Sequence, residues 1–324
     1  MNRQILFENR RAIGDAIVLS AAIRDFKFSY PDIDICVSTE YPELWINNPH
    51  IKNLTAPVER VGLFVNSYVR ASQNRSIKIH YIQVFHKVIK DLIGLKVDCL
   101  IPKPDLHLSN DEIENRILNY PYWVIVAGTK RHATTKQWHF NRYQQVVNIL
   151  SKEDNLKFVQ VGTTKDNVSS VKHIHPKLSG VVDLVDKTNL RQLMSLIYNS
   201  SGVICPITSS MHIAAAFDKP CVVLAGGREE YTWSAYSKDN DAFNISQKNN
   251  IIVSHRYLNT IGKLQCCRNS GCWKSHVEAE GTYPFTPSLK TLCPLPIKSE
   301  PMTVPKCLDL ISVTDVVEAV RSYY

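Results

Sequence analysis

Short apolar runs and longer amphipathic stretches alternate along this chain, and their spacing predicts a repeating strand–helix order. Gln4 to Phe7 reads as a strand. A turn holding Gly14-Asp15 follows, then a helix to about Ser29 that Pro31 stops. Asp34 to Ser38 reads as a second strand. Ile82, Phe85, Ile89 and Ile93 recur at helical spacing within His80 to Ile93, and Asn110 to Asn119 reads as a polar helix. A new series of units begins at the apolar run Tyr122 to Val126. It continues with a helix at about Phe140 to Leu150, a strand at Lys157 to Val161 and a helix at Asn189 to Tyr198. Val203-Ile204, a helix after Thr208, and Val222 to Leu224 complete it, and Ser312 caps a last amphipathic helix, Val313 to Tyr323. Alternating units of this kind imply parallel sheets with helices on both faces. The break at Tyr120-Pro121 divides them into two α/β units with a cleft between.

Composition agrees with two cores. The 324 residues exceed the usual single-domain size, and 44% of them are apolar. No run of eighteen apolar residues occurs, and Met1 to Ile5 leads straight into a strand without a signal peptide, so a soluble, cytoplasmic protein is expected. The net charge of +8 favours an anionic partner but is too mild to argue for nucleic acid by itself. That charge is uneven: Arg60 to Lys103 holds eight Lys or Arg against Asp91 and Asp98, a net of +6. This stretch is either a solvated basic face or a docking surface for a phosphorylated sugar, lipid or nucleic acid.

Three features carry candidate chemistry. The first is Thr208-Ser209-Ser210-Met211-His212-Ile213-Ala214-Ala215-Ala216, a strand–turn–helix with small hydroxyl residues at the turn. A helix start offers unpaired N–H groups and a positive dipole end to a phosphate, and the carboxyl edge of such a sheet is where α/β proteins bind nucleotides. An ordinary buried helix behind a tight turn would look the same. His212 reads equally well as a core histidine with one satisfied nitrogen. The second is the polar loop Gly128 to Lys136, with Lys130, Arg131, Lys136, three threonines and a glycine. A cation with hydroxyls and free amides suits a leaving diphosphate, although a surface loop needs no such role. Trp138 beside it reads as a packing anchor. The third is cysteine: five of nine (Cys266, Cys267, Cys272, Cys293, Cys307) fall in one segment rich in Pro, Ser, Thr and Lys. The other four (Cys36, Cys99, Cys205, Cys221) lie in or beside predicted strands and read as buried apolar residues. A disulfide framework does not suit a large cytoplasmic chain. Thiolates around Zn²⁺ or Fe would staple a segment with little core of its own, though the gaps are wider than a C-x-x-C knuckle.

Taken in order, Ile13-Gly14-Asp15-Ala16, Lys136-Gln137-Trp138, Val161-Gly162, and Met211 to Ala216 followed by Lys219-Pro220 resemble glycosyltransferase family 9, the ADP-heptose heptosyltransferases. The resemblance runs from Ile5 to about Trp233. It implies an α/β GT-B fold, two Rossmann-like domains facing across a cleft, with a cysteine metal-binding C-terminal segment. The implied divisions are an acceptor-binding domain at 1–120, a nucleotide-sugar domain at 121–262, a cysteine-rich segment at 263–310 and a helix at 311–324. The resemblance implies inverting, metal-independent transfer of a heptose-like sugar from a nucleotide-diphospho-sugar, ADP-heptose, to an acceptor hydroxyl. Asp15 would be the general base; as a residue before a helix it could instead be an N-cap. Gly128, Thr129 and Lys136, with Thr208, Ser209, Ser210 and His212, would hold the donor phosphates. No Asp-X-Asp pair stands where a divalent ion would hold that diphosphate. Thr163, Thr164, Asp166 and Asp183 to Lys187 are candidates for reading base and ribose.

The subset that includes autotransporter heptosyltransferases is similar at Cys266-Cys267, Gly271 to Ser275, Cys293 and Cys307-Leu308. Those enzymes carry cysteine-bound iron, which implies a structural Zn or Fe ion on Cys267, Cys272, Cys293 and Cys307, with Cys266 as alternate. One departure stands out: Ile207 occupies a position that the family usually gives to an acidic residue of the donor pocket. The acceptor stays open between lipopolysaccharide core, a protein hydroxyl and hydroxymethylated bases in phage DNA. Rival readings are an epimerase of the same fold, for which no carboxylate cluster is found on the donor side, and a basic nucleic-acid-binding module with a structural metal, for which no groove-reading motif is found.

Overall fold

The computed structural model describes residues 3–52, 59–63, 78–130, 134–165, 173–278, 290–300 and 302–324. Arg70 and Arg75 of the basic stretch, Arg131 to Ala133 of the polar loop and Asp166 lie outside them.

Two parallel sheets organise the described residues. In the first, β1 (Gln4–Asn9) lies between β2 (Asp34–Thr39) and β3 (Glu59–Gly62), all three parallel. Helix α1 (Ile13–Ser29) follows β1. Every residue from Ala16 to Phe26 is buried, so only the last turn of the helix, at Phe28 and Ser29, is exposed to solvent. It packs against α2 (Tyr81–Ile93), whose start is fixed by a capping box between His80 and Gln83. Gly94 at φ +72° ends α2 in the left-handed conformation that glycine adopts without strain.

The second sheet has six parallel strands in the order β11-β10-β9-β4-β6-β8. These are β4 (Trp123–Ile125), β6 (Phe158–Gly162), β8 (Val182–Val185), β9 (Gly202–Pro206), β10 (Cys221–Gly226) and β11 (Arg256–Asn259). Helices α3 (Phe140–Glu153), α4 (Leu190–Asn199) and α5 (Ser209–Ala216) connect them, and α6 (Val313–Arg321) packs back on α3. From β4 the chain winds outward through β6 to β8, then returns to β9 on the other side and winds outward to β11. The order therefore reverses between β4 and β9, and the carboxyl ends of those two strands form the crevice where such sheets take their ligands. Two short antiparallel ladders stand apart: β5 (Thr129–Lys130) with β7 (His173–Ile174), and β12 (Pro296–Ser299) with β13 (Met302–Pro305).

One buried cluster is continuous from the first sheet to the second. Phe7, Ile17 and Phe85 join Val124, Met211 and Val223 through the α1–α5 contact. A second cluster fills the opposite face of the six-stranded sheet, with Trp138, Tyr143, Leu308 and Val316. Trp138 is fully buried, and its indole N–H donates to the Ile311 carbonyl at 3.1 Å, so it is the packing anchor its neighbourhood in sequence suggests.

Some local expectations need correction. The polar helix at Asn110 stops at Glu114 rather than Asn119. Cys205 and Cys221 are buried in β9 and β10, but Cys36 and Cys99 are only half-buried. Among the described residues, no helix is long and apolar enough to cross a membrane.

Candidate active site

Asp15 is not the helix cap. Ala12 holds that position without a side-chain bond, and Asp15 sits in the first turn of α1. Its carboxylate is released for other use, and the Tyr81 hydroxyl, from the start of α2, donates to Oδ1. The Tyr81 ring stacks on Trp233 at 5.0 Å, which fixes the hydroxyl's aim. Burial raises the Asp15 carboxyl above its ordinary range, against the Tyr81 hydrogen bond and the charges of Arg11 and Lys136, which favour the anion.

Lys136 comes from the other sheet, at the end of a single turn (Thr134–Lys136) after β5. Its Nζ donates to the Ile207 carbonyl at 3.2 Å, so one ammonium ties the loop after β4 to the loop after β9 across the switch point. It also meets Glu229 Oε1 at 2.9 Å, while Arg228 pairs with the same carboxylate. Burial would raise the Glu229 carboxyl, but Lys136 and Arg228 outweigh it and hold it low. Burial pushes Lys136 downward, opposed by Glu229 and Asp15. The Lys136 side chain remains 28% exposed, so its charge can still reach a ligand.

The helix start behind Ile207 keeps its polar groups uncommitted. Thr208 is the N-cap of α5 in an extended conformation, yet it makes no side-chain cap bond, and its buried Oγ1 has no partner among the described residues. Ser209 is half-buried and Ser210 buried. His212, one turn into α5, is buried, with Nδ1 2.6 Å from the Tyr236 hydroxyl. Burial and the Lys136 charge push it down to about 3, so its imidazole is neutral at physiological pH. A Cβ on Gly14 would sit 3.4 Å from the His212 ring, so that glycine lets α1 and α5 close on each other beside Asp15.

Asp15, Lys136, Thr208 and His212 thus come together. Gly128 and Thr129 lie at the end of β4 beside His175 and Ile174. A Cβ on Gly128 would lie 2.1 Å from the His175 ring, and one on Gly162 would lie 2.0 Å from it. Both glycines make room for an imidazole packed over the ends of β4 and β6, and Thr129 is paired with Ile174 in the short ladder. Three participants were missed: Tyr81, Arg228 and Glu229. The last two follow Gly226-Gly227 at the end of β10, where a glycine pair followed by charges was a usable signal. Tyr81 has none, being 66 positions from its partner.

The cysteines gather on the far side of that same loop. Cys266, Cys272, Cys293 and Cys307 line one small cavity with Gly227 and Arg228. A Cβ on Gly227 would lie 2.7 Å from Cys267 Sγ, and one on Gly226 would lie 3.2 Å from Cys307 Sγ. Burial and the repulsion between neighbouring thiolates raise Cys266 to about 11 and Cys307 to about 12, and Cys272 and Cys293 upward as well, so a cation is what would let these four ionise together. The donor set suits zinc or iron. No three of these sulfurs lie within 4.8 Å of one another, so a single ion would draw the segment inward. Cys272 N–H donates to the Gly227 carbonyl at 3.0 Å and Trp273 N–H to that of Arg228 at 2.9 Å; Thr135 Oγ1 donates to the Lys274 carbonyl at 2.8 Å. The segment therefore braces both loops that carry Lys136 and Glu229.

The described part of the basic stretch gathers Lys78, Lys87, Lys90 and Lys96 around an open groove between α2 and residues 242–247. Gln83, Lys87 and Lys90 project from the side of α2 opposite Tyr81, so this charge faces away from Asp15.

Comparison with known proteins bears on the lineage and the fold. The sequence profile of glycosyltransferase family 9 (heptosyltransferase) matches residues 57–259. No curated protein matches the chain in sequence. Among solved structures, a family 9 glycosyltransferase from Veillonella parvula superposes with a TM-score of 0.62 at 14% identity, over 99% of this chain and 98% of that one. The ADP-heptose lipopolysaccharide heptosyltransferase II of E. coli superposes at 0.55 and 13%, again over 99% and 98%. The iron-containing dodecameric glycosyltransferase TibC from enterotoxigenic E. coli gives 0.58 and 17%, over 99% of this chain and 76% of that one. At such identities the structures speak for the fold, GT-B, and the profile, which spans more than half the chain, speaks for the lineage: this protein belongs to glycosyltransferase family 9, the heptosyltransferases, and is a glycosyltransferase that draws on a nucleotide-sugar.

Proposed function

We propose that the chain transfers a heptose from ADP-heptose to a hydroxyl of an anionic acceptor, with inversion at the anomeric carbon. The observation that carries this reading is the meeting of Asp15, from the first sheet, with Lys136 and the Thr208 helix start, from the switch point of the second. The acceptor oxygen attacks the anomeric carbon, its proton passes to Asp15, and the bond from that carbon to the diphosphate oxygen breaks. Burial makes Asp15 a stronger base than an exposed carboxylate, and Tyr81 keeps it aimed. Charge then grows on the departing diphosphate, where Lys136, the Thr208 and Ser209 hydroxyls and the first N–H groups of α5 would receive it. Glu229 would stand in for the acidic residue that Ile207 displaces, supplying a carboxylate to Lys136 from the neighbouring loop. In this reading, residues 1–120 present the acceptor and 121–262 the donor.

Cys267, Cys272, Cys293 and Cys307, with Cys266 adjacent, would hold a zinc or iron ion. When bound, it supplies a structural cross-link rather than a reactive centre. It would act on transfer only indirectly, by holding the 226–229 loop against which Cys267 and Cys307 pack.

The test is release of ADP from ADP-heptose by the purified protein, with lipopolysaccharide core, a peptide and hydroxymethylated DNA offered as acceptors. Thermal shift against ADP, UDP, GDP and CDP names the donor base. Asp15→Asn should lower transfer by roughly 10²–10⁴ and leave nucleotide binding intact. Unchanged transfer would remove Asp15 as the base, and no shift with any nucleotide would remove the donor site.

A further inference from the structure

We propose that His50, Asp105 and His107 form a second metal site, separate from the cysteines, for a divalent transition-metal cation. One ligand atom from each lies within 4.8 Å of the others. Both imidazoles turn Nε2 toward the same carboxylate oxygen: His107 at 2.8 Å and His50 at 3.3 Å from Asp105 Oδ2. The side chains are 29%, 13% and 18% exposed for His107, His50 and Asp105, open enough for an ion to enter yet held on all sides.

The holding comes from one face of α1. Ser20, Arg24 and Phe28 lie four residues apart and so stack along the helix. Ser20 Oγ accepts the Asp105 N–H at 2.8 Å. Arg24 donates to the carbonyls of Ile101 and Lys103 at 2.6 and 3.1 Å, and its Nη1 lies 3.8 Å from Asp105 Oδ1. Phe28 meets the His50 ring edge-on at 5.2 Å. From the second sheet, Arg191 donates to the His107 carbonyl at 2.9 Å. Three ligands from two separate segments are therefore set in place before any ion arrives, which lowers the ordering cost of binding.

Two imidazoles and a carboxylate select zinc, cobalt, nickel or ferrous iron over calcium and magnesium, and leave positions open for water. Each imidazole binds through Nε2 in its neutral form, with its proton on Nδ1. Arg24 is the opposing charge. It is already engaged by Asp25 Oδ1 at 2.9 Å and by the two carbonyls, and it turns Asp105 Oδ1 away while Oδ2 stays toward the histidines. A bound ion would tie the loop after β2 to the segment that crosses between the sheets.

Titration of the full chain with Co²⁺ tests this. Cobalt on thiolates gives an intense near-ultraviolet band, whereas cobalt on imidazole and carboxylate gives weak visible bands alone. The parent, with its cysteine site first filled with zinc, should bind one further equivalent with only the visible bands, with a rise in Tm. The equivalent should persist in Cys272→Ser/Cys307→Ser and disappear in His50→Gln/His107→Gln. His50→Gln alone serves if the double variant fails to fold, judged by circular dichroism without metal. A histidine variant that folds and binds Co²⁺ as the parent does, with the same visible bands, would overturn the proposal.

Discussion

Lowering the pH from 7 to 5 should lower the fold's stability through three histidines packed around one tyrosine. His80, His212 and His255 are 0%, 6% and 3% exposed, with rings 4.9, 5.6 and 5.5 Å from that of Tyr236. Burial pushes each down to about 3 from the ordinary 6.5, with His212 adding to the effect at His80 and His255, and Lys136 at His212. The folded value is below the unfolded one, so the unfolded chain gains protons from about pH 6.5 downward that the native state refuses until about pH 3. Stability is whole above about 6.5 and declines as pH falls through that window. Between pH 7 and 5 each histidine loses about 2 kcal/mol, and the three together about 6 kcal/mol. A typical total is about 5–15 kcal/mol, so unfolding should begin near pH 5. Asp105 and Glu112, both held below the ordinary carboxylate range, act in the same direction at lower pH, and Asp15, raised, acts against them. Urea unfolding followed by circular dichroism at pH 7, 6 and 5 measures the loss as a falling midpoint. His255→Phe, which keeps an aromatic ring in the same space, should remove about a third of the pH dependence. Equal stability at pH 7 and 5, or resonances of the His80, His212 and His255 imidazoles titrating near 6.5 in the folded protein, would refute this reasoning.

Other outcomes follow from the same geometry. In Tyr81→Phe the hydrogen bond that favours the Asp15 anion is lost, so the acidic limb of the kcat/KM profile should move to higher pH; a limb that stays in place would separate Tyr81 from the base. Trp138→Ala should destabilise the protein by about 3–5 kcal/mol in urea unfolding, because it empties a fully buried indole site and leaves the Ile311 carbonyl with Arg142 as its side-chain donor. Cys272→Ser with Cys307→Ser should lower zinc or iron content, measured by elemental analysis, and lower Tm. Parent protein expressed in metal-replete medium with neither element near one equivalent would remove the cysteine site.

The apolar runs were enough to place α1, β9, α5 and β10, because strands buried on both faces and interior helices are written in continuous apolar stretches. Gly14-Asp15, Lys136 and the hydroxyls at Thr208 were legible as candidates because each lies in a turn directly after a strand. Spacing could also isolate the five cysteines as a group.

What sequence could not supply was the partner of each group. Asp15 meets Tyr81 and Lys136 meets Glu229 only because α2 and the loop after β10 are folded onto them. That His175 fills the space beside Gly128 is likewise invisible in the sequence, since a missing Cβ does not say what fills it. His50, Asp105 and His107 carry no spacing signal at all, and it is the outer face of α1 that gathers them. Local patterning is set by the period of the backbone and is readable along the chain. Charge, burial and coordination depend on neighbours distant in sequence, and those are decided only when the sheets and helices close on one another.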